Sequence, residues 1–276
     1  MKIEKAKQLT ARKFKRMTGV SRQSFELMVD VVKASEKNKK KPGRRSKLII
    51  EEKVLMVIQY WREYRTYYHI GLDWGLSESA VCRTVLKIEN VLIRSRKFSL
   101  PGKKELLKMS FPSNLVVMDV MESPIERPRR GQKKFFSGKQ GEHTLKTQVV
   151  ACQKSGQIIC LGHGKGRMHD FRLFKTSGVR FGELLKVIAD KGYQGISKVH
   201  QLSETPIKKS KGKRLTGEQK KHNRELNRLR IVIEHINRRL KIFKILDNKY
   251  RNRHRRFGLR SNLIAGLYNS GLEPKV

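Results

Sequence analysis

The chain predicts a mixed fold of the α+β or α/β kind, preceded by a small all-α module, and three observations carry that reading. Apolar residues recur at helical spacing as far as Leu92, and after Pro112 they gather into short strand-like runs. The runs follow in the order strand, strand, strand, helix, strand and long helix, which describes a mixed sheet with flanking helices. Acids stand at the ends of two strands, where such a sheet collects functional groups. A length of 276 residues leaves room for two domains.

The first segment, residues 1–35, carries Phe14, Met17 and Val20, then Phe25, Met28, Val29 and Val32. It reads as helices with a stop at Thr18-Gly19 and a restart after Ser21. Residues 36–47 form a basic linker around Lys39-Lys40-Lys41-Pro42-Gly43-Arg44-Arg45, too polar to bury a core and able to touch a DNA backbone. The module at 48–100 holds a helix through Val54, Leu55, Val57, Ile58 and Trp61, a second leading to Leu72 and Trp74, and a break at Gly75. Ser77 is placed to cap a third helix whose buried stripe is Ala80, Val81, Thr84, Val85 and Ile88. This is the layout of a helix-turn-helix. In that reading Glu78, Ser79, Arg83 and Lys87 face bases or phosphates. Helical hairpins are common, and it is the charge of the whole chain that favours DNA over a structural bundle.

The second domain is expected over 110–272. Leu115 to Val120 reads as a strand bearing Asp119. Thr147–Cys152 and Gln157–Leu161 make a hairpin around Lys154-Ser155-Gly156. Asp170 reads as the cap of a helix running through Phe171, Leu173 and Phe174 to Leu184-Leu185, with His169 as a structural donor. Val187-Ile188-Ala189 is the fourth strand and ends at Asp190. Pro124 and Pro128 place Glu122 and Glu126 in a loop, and Tyr193 is expected to pack beside Gly192. The last long helix spans roughly 217–245. It has Leu226, Leu229, Val232, Ile233, Ile236, Leu240 and Phe243 as apolar positions and Glu234 among them. Before it, the run from Lys208 to Arg214 offers a track for a DNA strand; residues 251–256 form a second basic run.

Against 24 Asp and Glu stand 64 Lys and Arg, a formal net charge of +40. Most of the surface is therefore positive, and its natural partner is a polyanion whose binding weakens steeply with salt. The Met-Lys-Ile-Glu-Lys start and the lack of a long uncharged apolar run argue against a signal peptide or membrane span, so a soluble, cytoplasmic and nucleoid-associated protein is expected. Cys82, Cys152 and Cys160 form no C-x-x-C pair and suggest neither disulfides nor a zinc site.

In so basic a chain Asp119, Asp190 and Glu234 stand in apolar settings that call for a counter-charge, and a metal ion is the obvious one. Arg230, four residues before Glu234, and Lys241, seven after, lie near the same side of the helix. Phosphodiester cleavage and transfer need such a set, because two divalent ions about 3.5–4 Å apart neutralise the transferring phosphoryl group and choose hard carboxylate oxygens.

The blocks Val117-Met118-Asp119-Val120-Met121-Glu122-Ser123-Pro124-Ile125-Glu126-Arg127-Pro128, Asp190-Lys191-Gly192-Tyr193-Gln194-Gly195 and Arg230-Ile231-Val232-Ile233-Glu234-His235 resemble the DDE transposases of bacterial insertion sequences, above all the group typified by insertion sequence 5. Arg230, Glu234 and Lys241 fall at the spacings of that group's arginine–glutamate–lysine signature; Asn227 stands where the related insertion-sequence-4 signature has a tyrosine. The resemblance covers roughly 115–249 and the helical N-terminal module. It implies an RNase H-like domain in which Asp119, Asp190 and Glu234 are catalytic and hold two Mg²⁺ ions, with Mn²⁺ able to substitute. It also implies that Arg230 and Lys241 hold phosphates, and that a homodimer assembles on double-stranded DNA to cut element ends and join their 3′-hydroxyls to a target. The alternatives are a metal-dependent endonuclease without strand transfer, a helix-turn-helix regulator without chemistry, and a basic RNA-binding protein.

Overall fold

The computed structural model describes residues 3–38, 46–109, 111, 113–209, 212, 214–252 and 254–272. The run Lys39–Arg45 and part of the run from Lys208 to Arg214 lie outside these residues. The chain divides into two compact units, one built from Met1–Ser99, Leu240–Asn248 and Arg256–Gly271, the other mainly from Leu100–Arg239 and Lys249–Arg255.

The first unit is all helical: α1 (Ile3–Gln8), α2 (Ala11–Thr18), α3 (Arg22–Lys37), α4 (Ile50–Glu63), α5 (Tyr67–Trp74) and α6 (Glu78–Arg94), joined by α9 (Lys244–Asp247) and α10 (Phe257–Ser270) from late in the chain. Its starts and stops follow local chemistry. The Thr10, Ser21, Thr66 and Ser77 hydroxyls accept the backbone N–H three residues on, and Gly19 and Gly75 end α2 and α5 in the left-handed conformation. Glu36 and Lys37, read as linker, belong to the last turn of α3.

α5, the turn at Gly75 and α6 form the expected helix-turn-helix. Its tight corner depends on Gly71, where an added Cβ would meet the Leu76 carbonyl oxygen at 2.5 Å. Gly71→Ala therefore gains the helix propensity of alanine, about 1 kcal/mol, and loses more to the backbone clash. A net destabilisation of about 1–2 kcal/mol is expected by chemical denaturation, together with weaker DNA binding.

The second unit is a curled mixed sheet with flanking helices, the RNase H-like arrangement expected from the resemblance. Its strands are β1 (Leu115–Pro124), β2 (Phe136–Ser137), β3 (Glu142–Cys152), β4 (Ile158–Lys165), β5 (Lys186–Ala189) and β6 (Ser203–Glu204). β3 lies beside β1 and carries β4 and β2 along its other edge; β5 and β6 continue beyond β1. β1 pairs antiparallel with β3 and parallel with β5. One core of the unit joins Val116, Met118, Val150, Val187 and Ala189 to Phe174 of α7 (Asp170–Ser177). The helix α8 (Gly217–Lys241) completes the set.

Three expectations are corrected. Glu122 is a strand residue opposite Lys146, because β1 continues to Pro124. α7 stops at Gly178, in the left-handed conformation, and does not reach Leu184-Leu185. The last long helix ends at Lys241; Phe243 is extended and starts the separate α9. Among the described residues no helix is long and apolar enough to cross a membrane, and Cys82, Cys152 and Cys160 are free thiols.

Candidate active site

Strand register assembles the site. β1 and β5 run parallel with Met118 opposite Ala189, so the next residues, Asp119 and Asp190, come side by side where β5 ends. A parallel pair ending in two acids concentrates negative charge, and α8 supplies the counter-charge. Arg230, 7 % exposed, places Nη1 3.1 Å from Asp190 Oδ1 and Nη2 3.9 Å from Asp119 Oδ1. From the same helix the Asn237 amide nitrogen donates to Asp119 Oδ2 at 3.1 Å.

The pair is electrostatically loaded. Burial, opposed by Arg230 and reinforced by Asp190, pushes the Asp119 carboxyl up to about 6. A carboxyl raised on folding binds its proton more readily in the folded state, so its share of stability is greatest below pH 4 and is lost as pH rises toward 6. In metal-free buffer the protein is therefore expected to lose up to about 2–3 kcal/mol across that window. A divalent ion, if held by Asp119, would show the opposite trend, its affinity weakening below about pH 6 as that carboxyl takes up its proton. Denaturation and calorimetry over pH 4–7 check both.

A second charged group lies beside the first. Lys146 on β3, 8 % exposed, contacts Asp170 Oδ1 at 2.7 Å and Glu122 Oε1 at 3.7 Å. The Thr144 hydroxyl donates to Glu122 at 2.7 Å. Asp170 is the first residue of α7 and not its cap; the cap position belongs to His169, whose side chain makes no capping bond. Gly192 is needed here, since a Cβ on it would stand 2.4 Å from Asp170 Oδ2. Tyr193 is fully buried, as expected, and its hydroxyl donates to Gln148 at 3.3 Å. Burial and the field of Asp119, Asp170 and Asp190 raise its pKa.

Of the residues selected from sequence, the structure thus joins Asp119, Asp190 and Arg230. Glu234 is exposed on α8, and Lys241 is ion-paired with Asp247 at 3.9 Å. Among the described residues no three His, Cys, Asp or Glu side chains converge closely enough to hold a metal ion. Two carboxylates on adjacent strands nonetheless suit a hard cation. Beside them, Asn237 Oδ1 and Arg230 Nε are buried without a hydrogen-bond partner, one an acceptor and one a donor. Sequence reasoning passed over Asn237 because it searched for carboxylates. The available signal was its position seven residues after Arg230, which returns it to the same side of the helix.

In the helical unit Ser79, Arg83 and Lys87 recur every four residues on α6 and are exposed. Lys87 is ion-paired with Glu36 of α3. Arg83, Lys87 and Arg94 line a groove of about 760 Å³ together with Ser35, Asn38 and Asn90.

Comparison with known proteins follows the same division. Residues 118–269 match the family described as DDE superfamily endonuclease, and residues 46–98 match the helix-turn-helix of DDE superfamily endonuclease. A chain from Microchaete diplosiphon, named as the probable transposase for insertion sequence element IS702, is 82 % identical over 276 residues, the whole of both chains. A chain from Streptomyces albus G, named as a transposase for insertion sequence element IS112, is 24 % identical over 233 residues, 83 % of each. No solved structure matches.

Proposed function

The chain belongs to the insertion-sequence transposases that carry a helix-turn-helix and a DDE superfamily endonuclease domain. On that premise we propose that it binds the terminal inverted repeats of its own element, cleaves DNA there and joins the freed ends to target DNA. The observation that carries this reading is the Asp119–Arg230–Asp190 arrangement: two acids held at one strand end by a buried guanidinium, in a protein of charge +40.

Asp119 and Asp190 hold the divalent ions in this proposal, and Glu234, one turn after Arg230 on α8, supplies the third carboxylate. Two Mg²⁺ ions, or Mn²⁺ in their place, supply Lewis acidity and a stronger nucleophile at neutral pH. Arg230, planar and always charged, grips a phosphate oxygen, and Lys241 contributes a further charge to the DNA. Water attacks phosphorus and the P–O3′ bond breaks, leaving a 3′-hydroxyl and a 5′-phosphate. The 3′-hydroxyl then attacks a target phosphodiester, whose own O3′ leaves. Ser79, Arg83 and Lys87 face the element end from α6. The working form is a homodimer on double-stranded DNA in the cytoplasm. The functional modules are the helical segment 1–35 with the last turn of α3, the basic linker from there to 47, the helix-turn-helix module 48–100 and the catalytic domain within 110–272, of which Leu240–Asn248 and Arg256–Gly271 belong to the helical unit. Membership of the insertion-sequence-5 group rests on the three motif blocks.

The test uses the full chain and a plasmid carrying the element's ends. With Mg²⁺ or Mn²⁺, mapped products should include strands cut at those ends and 3′-ends covalently joined to new sites; with EDTA there should be neither. Cutting without joining would reduce the protein to an endonuclease. Binding without cutting in either metal would make it a DNA-binding protein only.

A further inference from the structure

We infer that Asn237 is a working residue of the catalytic centre: its amide nitrogen fixes the orientation of Asp119, and its amide oxygen is a neutral ligand for the divalent ion. The inference rests on the metal-dependent reading above and adds a residue that the acid triad does not contain.

Asp119 is held from both sides. Arg230 faces its Oδ1, and Asn237 Nδ2 donates to its Oδ2 at 3.1 Å. A carboxylate only accepts hydrogen bonds, so the amide must present its nitrogen to Asp119, and its oxygen is directed elsewhere. That oxygen is buried and without a partner. A buried acceptor left unsatisfied costs about 1–3 kcal/mol, and an alanine or leucine at the same helical position would avoid the cost. The arrangement makes sense if the oxygen is satisfied in the working state. Beside Asp119 the group able to do so is a hard cation, which prefers amide and carboxylate oxygens.

Arg230 strengthens the case from the opposite direction. Its Nε is also buried without a partner, although its two terminal nitrogens face Asp119 and Asp190. One helix therefore flanks Asp119 with an unused acceptor at Asn237 and an unused donor at Arg230. A cation for the first and a phosphate oxygen for the second are what DNA strand transfer brings to such a place. Glu234, exposed on the same helix, offers no comparable contact to Asp119 in the structure.

The experiment measures Mn²⁺ binding to the full-length protein by calorimetry and by electron paramagnetic resonance, alongside melting in EDTA. Asn237→Leu is expected to weaken Mn²⁺ binding about 10–100-fold, the usual cost of losing a group that ligates or orients a ligand. Its metal-free melting temperature should stay close to that of wild type, because the loss of an unsatisfied acceptor offsets the loss of the hydrogen bond to Asp119. Asn237→Asp keeps an oxygen at the position and is expected to bind Mn²⁺ within a few-fold of wild type at pH 8. Its affinity should fall more steeply than that of wild type on acidification, since one more carboxylate must now be deprotonated. Wild-type affinity in the Leu variant overturns the role. So does a Leu variant whose weaker binding is matched by a lower metal-free melting temperature while the Asp variant binds no better. Wild-type protein that takes up no Mn²⁺, alone or on element-end DNA, overturns the metal reading and this inference together.

Discussion

Asp119→Asn and Asp190→Asn should each abolish DNA cutting while leaving binding to the element end intact. Both substitutions keep size and shape and remove only the charge. Lewis-acid stabilisation of the transferring phosphoryl group is worth several kcal/mol, so losing about 4 kcal/mol of it slows cleavage roughly 10³-fold. Folding of Asp119→Asn should not suffer. The Asp119 carboxyl is pushed up to about 6 chiefly because burial disfavours its charge, and a neutral amide there removes that penalty. Metal-free Asp119→Asn is accordingly expected to melt no lower than wild type at pH 7.5, and its pH dependence between 4 and 6 should flatten. Nicking rates, gel-shift titrations and melting in EDTA check the three parts separately. Cutting at wild-type rate by either variant would remove that carboxylate from the mechanism. Glu234→Gln is the sharper comparison, because the structure leaves Glu234 exposed. A loss equal to that of the aspartate variants shows that this side chain joins the centre when DNA and metal are bound, whereas near wild-type cutting leaves the third ligand to be supplied elsewhere on the same helix.

What the sequence displayed and what it concealed divide along a physical line. An apolar run ending in an acid is a local pattern, and both such runs proved to be strands, β1 carrying Asp119 and β5 leading directly into Asp190. The pairing of β1 with β5 is not local. Only the parallel register, Met118 opposite Ala189, brings the middle of β1 and the end of β5 together as one site. Pro124 misled for a related reason. It is tolerated as a strand residue because β5 ends at Ala189, and on that side the Tyr250 N–H bonds to the Pro124 carbonyl at 2.8 Å without calling on the Pro124 nitrogen as a donor. The stop of α7 was legible in Gly178, but the apolar pair Leu184-Leu185 outweighed it; in the structure Leu184 is 77 % exposed. Glu122 and Asp170 looked like a loop residue and a helix cap until Lys146, distant from both in sequence, brought them together. Charge clusters of this kind are set by tertiary contacts, and no periodicity reports them.

The helical unit holds the strongest instance. Glu89 lies on α6 among Val85, Ile88 and Leu92 and is completely buried. Its carboxylate accepts from Arg260 Nε at 2.7 Å, from Arg256 Nε at 2.7 Å and from Trp61 Nε1 at 3.1 Å, which fastens α6 to α4 and to α10. Glu89→Leu takes from Arg260, 1 % exposed, the carboxylate that it is ion-paired with. Breaking a buried pair from one side costs about 3–5 kcal/mol. Breaking the pair Lys33–Glu51, although it is only 2.6 Å long, should cost far less, because Lys33 is exposed and water screens the pair. Denaturant titration of the full chain is expected to show the helical unit unfolding early in Glu89→Leu, and element-end binding should fall with it, although Glu89 touches no DNA: α6, which presents Ser79 and Arg83, would no longer be anchored. The double variant Glu89→Leu with Arg260→Met removes both charges and should recover most of the lost stability. Recovery identifies the loss as the cost of a stranded guanidinium; a double variant no more stable than the single one would assign it to the hydrogen bond from Trp61 and to the packing of α4 against α6.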